Sequence, residues 1–158
     1  MEPNSVDYIC AVLRKLGMIE VRIEFSGSGD SGNICSLTWK GMCELEKTSV
    51  DTFPEVKWRD AAGAVRVTKF YPKPGMWAKD PETRTMDLWV ERWFNAHYDN
   101  FINYDWVNND GGGGTLILIP QENRVELDGY YNEMTSTPVE TDYAAHGYEV
   151  VTDEVTNG

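Results

Sequence analysis

Apolar and polar positions along this chain follow two periods. Val6, Ile9, Cys10, Leu13 and Leu16 recur at helical spacing, with Asn4 placed as an N-cap, Asp7 as its capping-box partner and Gly17 as the stop. One amphipathic helix is predicted there. The period then falls to two: "IEVRIEF" sets Ile19, Val21, Ile23 and Phe25 on one face and Glu20, Arg22 and Glu24 on the other, the pattern of a half-buried strand. "NICSLTW" resumes the alternation through Cys35, Leu37 and Trp39, which predicts a hairpin.

Further along, "AVRVTKFY" reads as a strand, and the prolines and glycine of "YPKPGMWAKDP" read as a loop. Asp80 and Pro81 suit a helix start, and the helix is expected to run to Phe101 with Met86, Trp89, Val90, Trp93, His97 and Phe101 on one face. "NNDGGGG" at 108–114 reads as a turn, because Asn, Asp and Gly accept positive φ at little cost. Three extended segments follow: "TLILIP", expected to be buried on both sides; "RVELDGYY", with Val125 and Leu127 inward; and "PVETDYAAHGYEV" as an edge strand before a polar tail at 151–158. The expected fold is α+β, a mostly antiparallel β-sheet with two amphipathic helices packed on it, in one domain over 1–158.

The chain has 158 residues, 41% of them hydrophobic, enough to bury a core without disulfides. Cys10, Cys35 and Cys43 have no C-x-x-C spacing, which suits reduced thiols used for packing. No segment carries the pattern of a signal peptide or a membrane span, so a cytoplasmic protein is expected.

Charge changes the picture more. The net charge is −12, and acids and bases balance as far as Ala78. The second half carries the whole imbalance, and after Arg124 no base appears at all. Such a surface repels nucleic acid and anionic membranes and attracts basic protein surfaces or cations.

Two familiar strings overlap in "EFSGSGDSGNI". Gly27 to Gly32 spells the dinucleotide fingerprint G-x-G-x-x-G, which requires a helix after its last glycine, whereas the two-residue period of "NICSLTW" predicts a strand. Gly29 to Gly32 spells the GDSG of trypsin-like proteases, but Ser31 precedes both histidines and the chain is too short for two barrels. A different hydrolase would have to pair Ser31 with His97 or His146, and no nucleophile elbow frames the serine. The frame of a calcium loop ending at Gly111 puts Trp106 at the first ligand position, so the match fails although Asn108 and Asp110 fit. Asp30, Asp110, Asp142 and His146 could hold a cation only if their loops converge, and His97 on the apolar helix face reads as a core histidine.

"VRIEFSGSGDSGNI", "WVNNDGGGGTLIL" and "VETDYAAHGYEV", in that order with a helix before the second, resemble a family of small acidic bacterial, plasmid and bacteriophage proteins of unknown function. The segment 41–81 departs from that pattern and is a candidate insertion. The resemblance implies a mobile-element setting and groups Asp30, Asn109, Asp110, Glu140, Asp142 and His146 into either a binding site or a hydrogen-bond network at the loop ends.

The expected function is therefore non-enzymatic, with no cofactor, no catalytic residues and no direct contact with nucleic acid or membrane. A phage-type inhibitor of host defence, comparable to anti-CRISPR or anti-restriction proteins, would dock acids onto a basic nucleic-acid-binding site of a host protein or nucleoprotein complex. Glu126, Asp128, Glu133, Glu140 and Asp142 are the expected contacts, with Trp77 either a contact or a core plug. The alternatives are a metal- or ligand-binding domain, hydrolytic or not, that uses the Asp30, Asp110, Asp142 and His146 loop cluster, and a structural or toxin–antitoxin type partner.

Overall fold

A computed structural model describes residues 1–28, 31–50, 54–72, 84–102, 104, 106–107, 111–132 and 136–151. In chain order the elements are α1 (Val6–Lys15), β1 (Met18–Ser28), β2 (Ser31–Gly41), β3 (Glu55–Arg59), β4 (Val65–Lys69), α2 (Met86–His97), β5 (Gly112–Ile119), β6 (Arg124–Asn132), β7 (Ser136–Ala144) and β8 (Glu149–Val151). β2-β1-β5-β6-β7 form an antiparallel five-stranded sheet and β4-β3-β8 an antiparallel three-stranded one. The α+β expectation and its antiparallel sheet hold.

The helix caps explain where α1 begins and ends. Ser5, one residue past the expected Asn4, caps it by accepting the Tyr8 amide at 3.1 Å. The Leu16 and Gly17 amides bond back to the Leu13 and Arg14 carbonyls, with Gly17 at φ +74°. Val6 to Leu13 are buried without interruption, because α1 lies between β1 and β6 on one side and β3 on the other. α1 is thus buried all round rather than along one stripe.

Val21, Ile23, Phe25, Leu116, Leu118, Val125 and Leu127 face the helices and are buried, meeting Trp89, Trp93 and Phe94 of α2. Long-range bonds satisfy several polar atoms of this core. Tyr8 donates its hydroxyl proton to the Pro54 carbonyl (2.7 Å) and accepts the Phe70 amide (3.0 Å), while Trp93 Nε1 donates to the Pro3 carbonyl (2.8 Å). Leu45, Val50, Val56 and Phe70 join the same core, so the described parts of the candidate insertion are built into it.

Several local expectations need correcting. A register shift between Met18 and Glu20 turns Met18 inward and leaves Ile19 60% exposed. A second shift, where Phe25 faces Ile34 and Glu24 faces Ser36, leaves Cys35 unpaired and exposed, so Ile34 takes the inward place expected of Cys35. "TLILIP" is buried on one face only, with Thr115, Ile117 and Ile119 part-exposed. The segment read as one edge strand is two: β7 closes the large sheet, and β8, including Val151, joins β3. Thr85 is extended and bridged to Ser49, so α2 starts after it; Asp80, Pro81 and most of the expected loop lie outside the described residues.

Gly112, Gly113 and Gly114 are strand residues rather than a turn, and 108–110 lie outside the described residues. Gly112, Gly113 and Gly114 pair with both β1 and β6, and a Cβ on Gly111 would overlap the Gly27 carbonyl oxygen. Gly111 also sits at φ +71°, where a side chain is strained. Gly63, at φ +84°, has open space around it. Gly111→Ala is therefore expected to cost about 3 kcal/mol through overlap plus strain, and Gly63→Ala about 1 kcal/mol through strain alone. Urea unfolding of the two variants checks the order, and equal losses would contradict it.

Candidate acidic docking face

With one face of the large sheet buried, strand alternation sends every second side chain to the other face. Two rungs of that open face run from edge to edge. Thr38, Arg22, Ile117, Glu126 and Asp142 form one, and Ser36, Glu24, Thr115, Asp128 and Glu140 the next. All ten side chains are exposed or half-exposed. Four of the six residues expected to contact a partner, Glu126, Asp128, Glu140 and Asp142, thus share one surface and line a shallow depression floored by Ile117. The other two, Glu133 and Trp77, lie outside the described residues.

Cross-strand pairing makes this an electrostatically loaded surface. Glu126 stands directly opposite Asp142, and Asp128 directly opposite Glu140. Cβ atoms in such pairs are roughly 5 Å apart, and like charges there destabilise a sheet. Arg124 relieves the first pair: it bonds Glu126 at 2.6 Å and Glu122 at 2.9 Å, and its Nε lies 3.5 Å from Asp142 without forming a hydrogen bond. The second pair has no such relief, since Asp128 and Glu140 make no ion pair among the described residues. Glu24 accepts the Ser36 hydroxyl at 2.9 Å, and Arg22 is engaged by Glu20 at 2.8 Å.

No family model, curated protein or solved structure matches this chain.

The glycine strings and the histidines fall elsewhere. Ser28 pairs with Ser31, so Gly27 to Gly32 joins two antiparallel strands and has no helix to hold a phosphate. Asp30, Asn108, Asn109 and Asp110 lie outside the described residues. The rung Gly27–Gly112–Tyr131–Thr137 lies at one end of the sheet, and Asp142 is roughly 17 Å further along β7 at about 3.3 Å per residue. His146 follows β7 at that far end, so it cannot reach Ser31. His97 stacks edge-on against Phe70 and Trp93 in a different cleft, and burial lowers its pKa. Among the described residues, no three His, Cys, Asp or Glu side chains converge as a metal site. No described helix is long and apolar enough to cross a membrane.

His146 instead meets a partner that its sequence neighbours do not suggest. Asp7, buried in the first turn of α1, accepts the His146 amide and Nδ1 on Oδ2, both at 3.1 Å, and the Gly147 amide on Oδ1 at 3.0 Å. Burial alone pushes the Asp7 carboxyl upward, but the three hydrogen bonds and the imidazole outweigh it and hold the pKa below its usual value. The loop between β7 and β8 is pinned in this way to α1. Beside it, Glu2, Asn4, Asn100, Asp142, Tyr143 and His146 line a cleft of about 520 Å³.

A carboxyl whose pKa is lowered by folding stabilises the native state above its unfolded pKa, near 4, and loses that effect as pH falls through the lower folded value. Asp7→Asn is expected to cost about 3 kcal/mol at pH 7. The gap between the two proteins should close as pH falls below about 4. Denaturant titrations at both pH values measure it; a gap unchanged by acid would contradict the assignment.

Proposed function

We propose that this protein is a non-enzymatic inhibitor of phage or mobile-element type, which docks the open face of its large sheet onto a basic nucleic-acid-binding site of a host protein complex. What carries the reading is that Glu126, Asp128, Glu140 and Asp142 lie on one exposed face together with Glu24, in a chain of net charge −12.

Charge energetics favour a partner over solubility alone. Solubility requires dispersed charge, and scattered acids would supply it without cross-strand opposition. Of the two directly opposed acid pairs on the β6–β7 hairpin, Asp128–Glu140, which Arg124 does not relieve, costs folding energy that a field of arginines and lysines offsets on binding. Flat sheets of carboxylates suit the broad surfaces that bind phosphates, since each acid takes the place of one phosphate contact.

Two measurements test this. Asp128→Asn removes one member of the unrelieved pair, so it should stabilise the fold by about 0.5 kcal/mol at low salt while weakening partner capture. Immobilised protein should capture a nucleic-acid-binding protein from bacterial lysate at about 0.1 M salt, displace DNA from it, and release it near 1 M. Reversing Glu126, Asp128, Glu140 and Asp142 to Lys should abolish capture. Capture that is indifferent to both salt and reversal would overturn the proposal.

A further inference from the structure

The two edges of the large sheet are built differently. β7 carries Pro138, Glu140 and Asp142, the devices by which edge strands resist pairing with another strand. β2, at the opposite edge, runs for 11 residues with Lys40 as its one charge and no proline. Leu37 and Trp39 are only half-buried there, whereas Ile23 and Val21 beside them on β1 have no exposure. Met42, just past the end of β2, is 86% exposed.

We propose that β2 is a self-association edge, on which a second copy of this chain pairs antiparallel to form a continuous ten-stranded sheet. The register follows from the residues. A two-fold axis through Thr38 sets Leu37 of each copy against Trp39 of the other, both on the helix-covered face, so each fills the rim the other leaves open. The same axis sets Lys40 opposite Ser36 of the other copy on the open face. Ser36 holds Glu24 at 2.9 Å, so each Lys40 arrives beside a carboxylate that has no ion pair among the described residues. Lys40 faces Glu20 within its own copy and therefore comes to bridge two acids.

Charge placement selects a second copy as the occupant despite the net charge of −12. β2 is the strand farthest from β6 and β7, so pairing through it keeps the two acid-rich hairpins at opposite ends of the extended sheet. Residual repulsion between the copies is screened over about 10 Å at 0.1 M salt. Self-association should therefore strengthen as salt rises, opposite to the capture of a basic partner, and the two surfaces can be tested apart.

Sedimentation of the full chain from about 1 to about 200 μM, at about 0.05 and about 0.5 M salt, reads the outcome. A monomer–dimer equilibrium that tightens with salt is expected. Thr38→Asp puts a carboxylate against its own copy at the axis and should weaken the dimer by about tenfold or more, with circular dichroism unchanged. Lys40→Glu should weaken it too, and adding Glu24→Lys should restore it by exchanging the signs of the same contact. A monomer throughout the range overturns the proposal, as does a dimer indifferent to both Thr38→Asp and Lys40→Glu.

Discussion

Val21, Ile23 and Phe25 of β1, Leu116 and Leu118 of β5, and Val125 and Leu127 of β6 interlock beneath the two helices with almost no exposure. Burying each such side chain contributes about 1.5–3 kcal/mol. Opposing two like charges across strands costs under about 1 kcal/mol. The core therefore dictates the register, and the acids take the positions it leaves. A one-residue slip of β7 would separate Asp128 from Glu140, but it would also carry Val139 and Tyr143 off the helix-covered face. Tyr143 opposes such a slip directly, through its hydroxyl bond to the Phe101 carbonyl.

One-sided burial also explains why the first half of the chain, neutral in sum, contributes to an acidic surface. The bases near Glu20 and Glu24 are few once the strands are folded: Arg22 is already engaged by Glu20, and Lys40 sits on the adjacent edge strand facing Glu20 rather than Glu24. Arg124 is the one base in the β6–β7 hairpin and contacts two of its acids, Glu126 and Asp142, as well as Glu122 just before it. The local field is set by these placements and not by the sum over the chain.

The sequence made the periods legible and left most of their partners illegible. Period-two alternation in "IEVRIEF" and "RVELDGYY" placed most core residues correctly, because a half-buried strand writes its two faces into the sequence. It failed at Ile19 and Cys35, where an extra residue in one strand resets the alternation without any local sign. The short strand "EVKWR" was missed because five residues give too few repeats to declare a period. The acids of β6 and β7 could be nominated from composition, but that they share a face with Glu24 required strand order. Asp7 was misread for a related reason: three residues after a polar cap, it matched a capping box, and its actual partners lie some 140 positions away.

That long-range contact decides how the two sheets meet. The chain leaves β7 in the large sheet, turns through Ala145 to Tyr148 and enters β8 in the small one. At that crossing, Asp7 gathers two backbone amides and an imidazole nitrogen onto a carboxylate buried in α1, the helix that both sheets cover. An apolar residue in its place would leave those two amides without an acceptor, at about 1–3 kcal/mol each. A buried charge so fully bonded holds the loop in one position. It also keeps the end of β7, and with it Asp142, in register with Glu126 and Arg124. The acidic face at one side of the sheet is thus held in place by a carboxylate buried on the other.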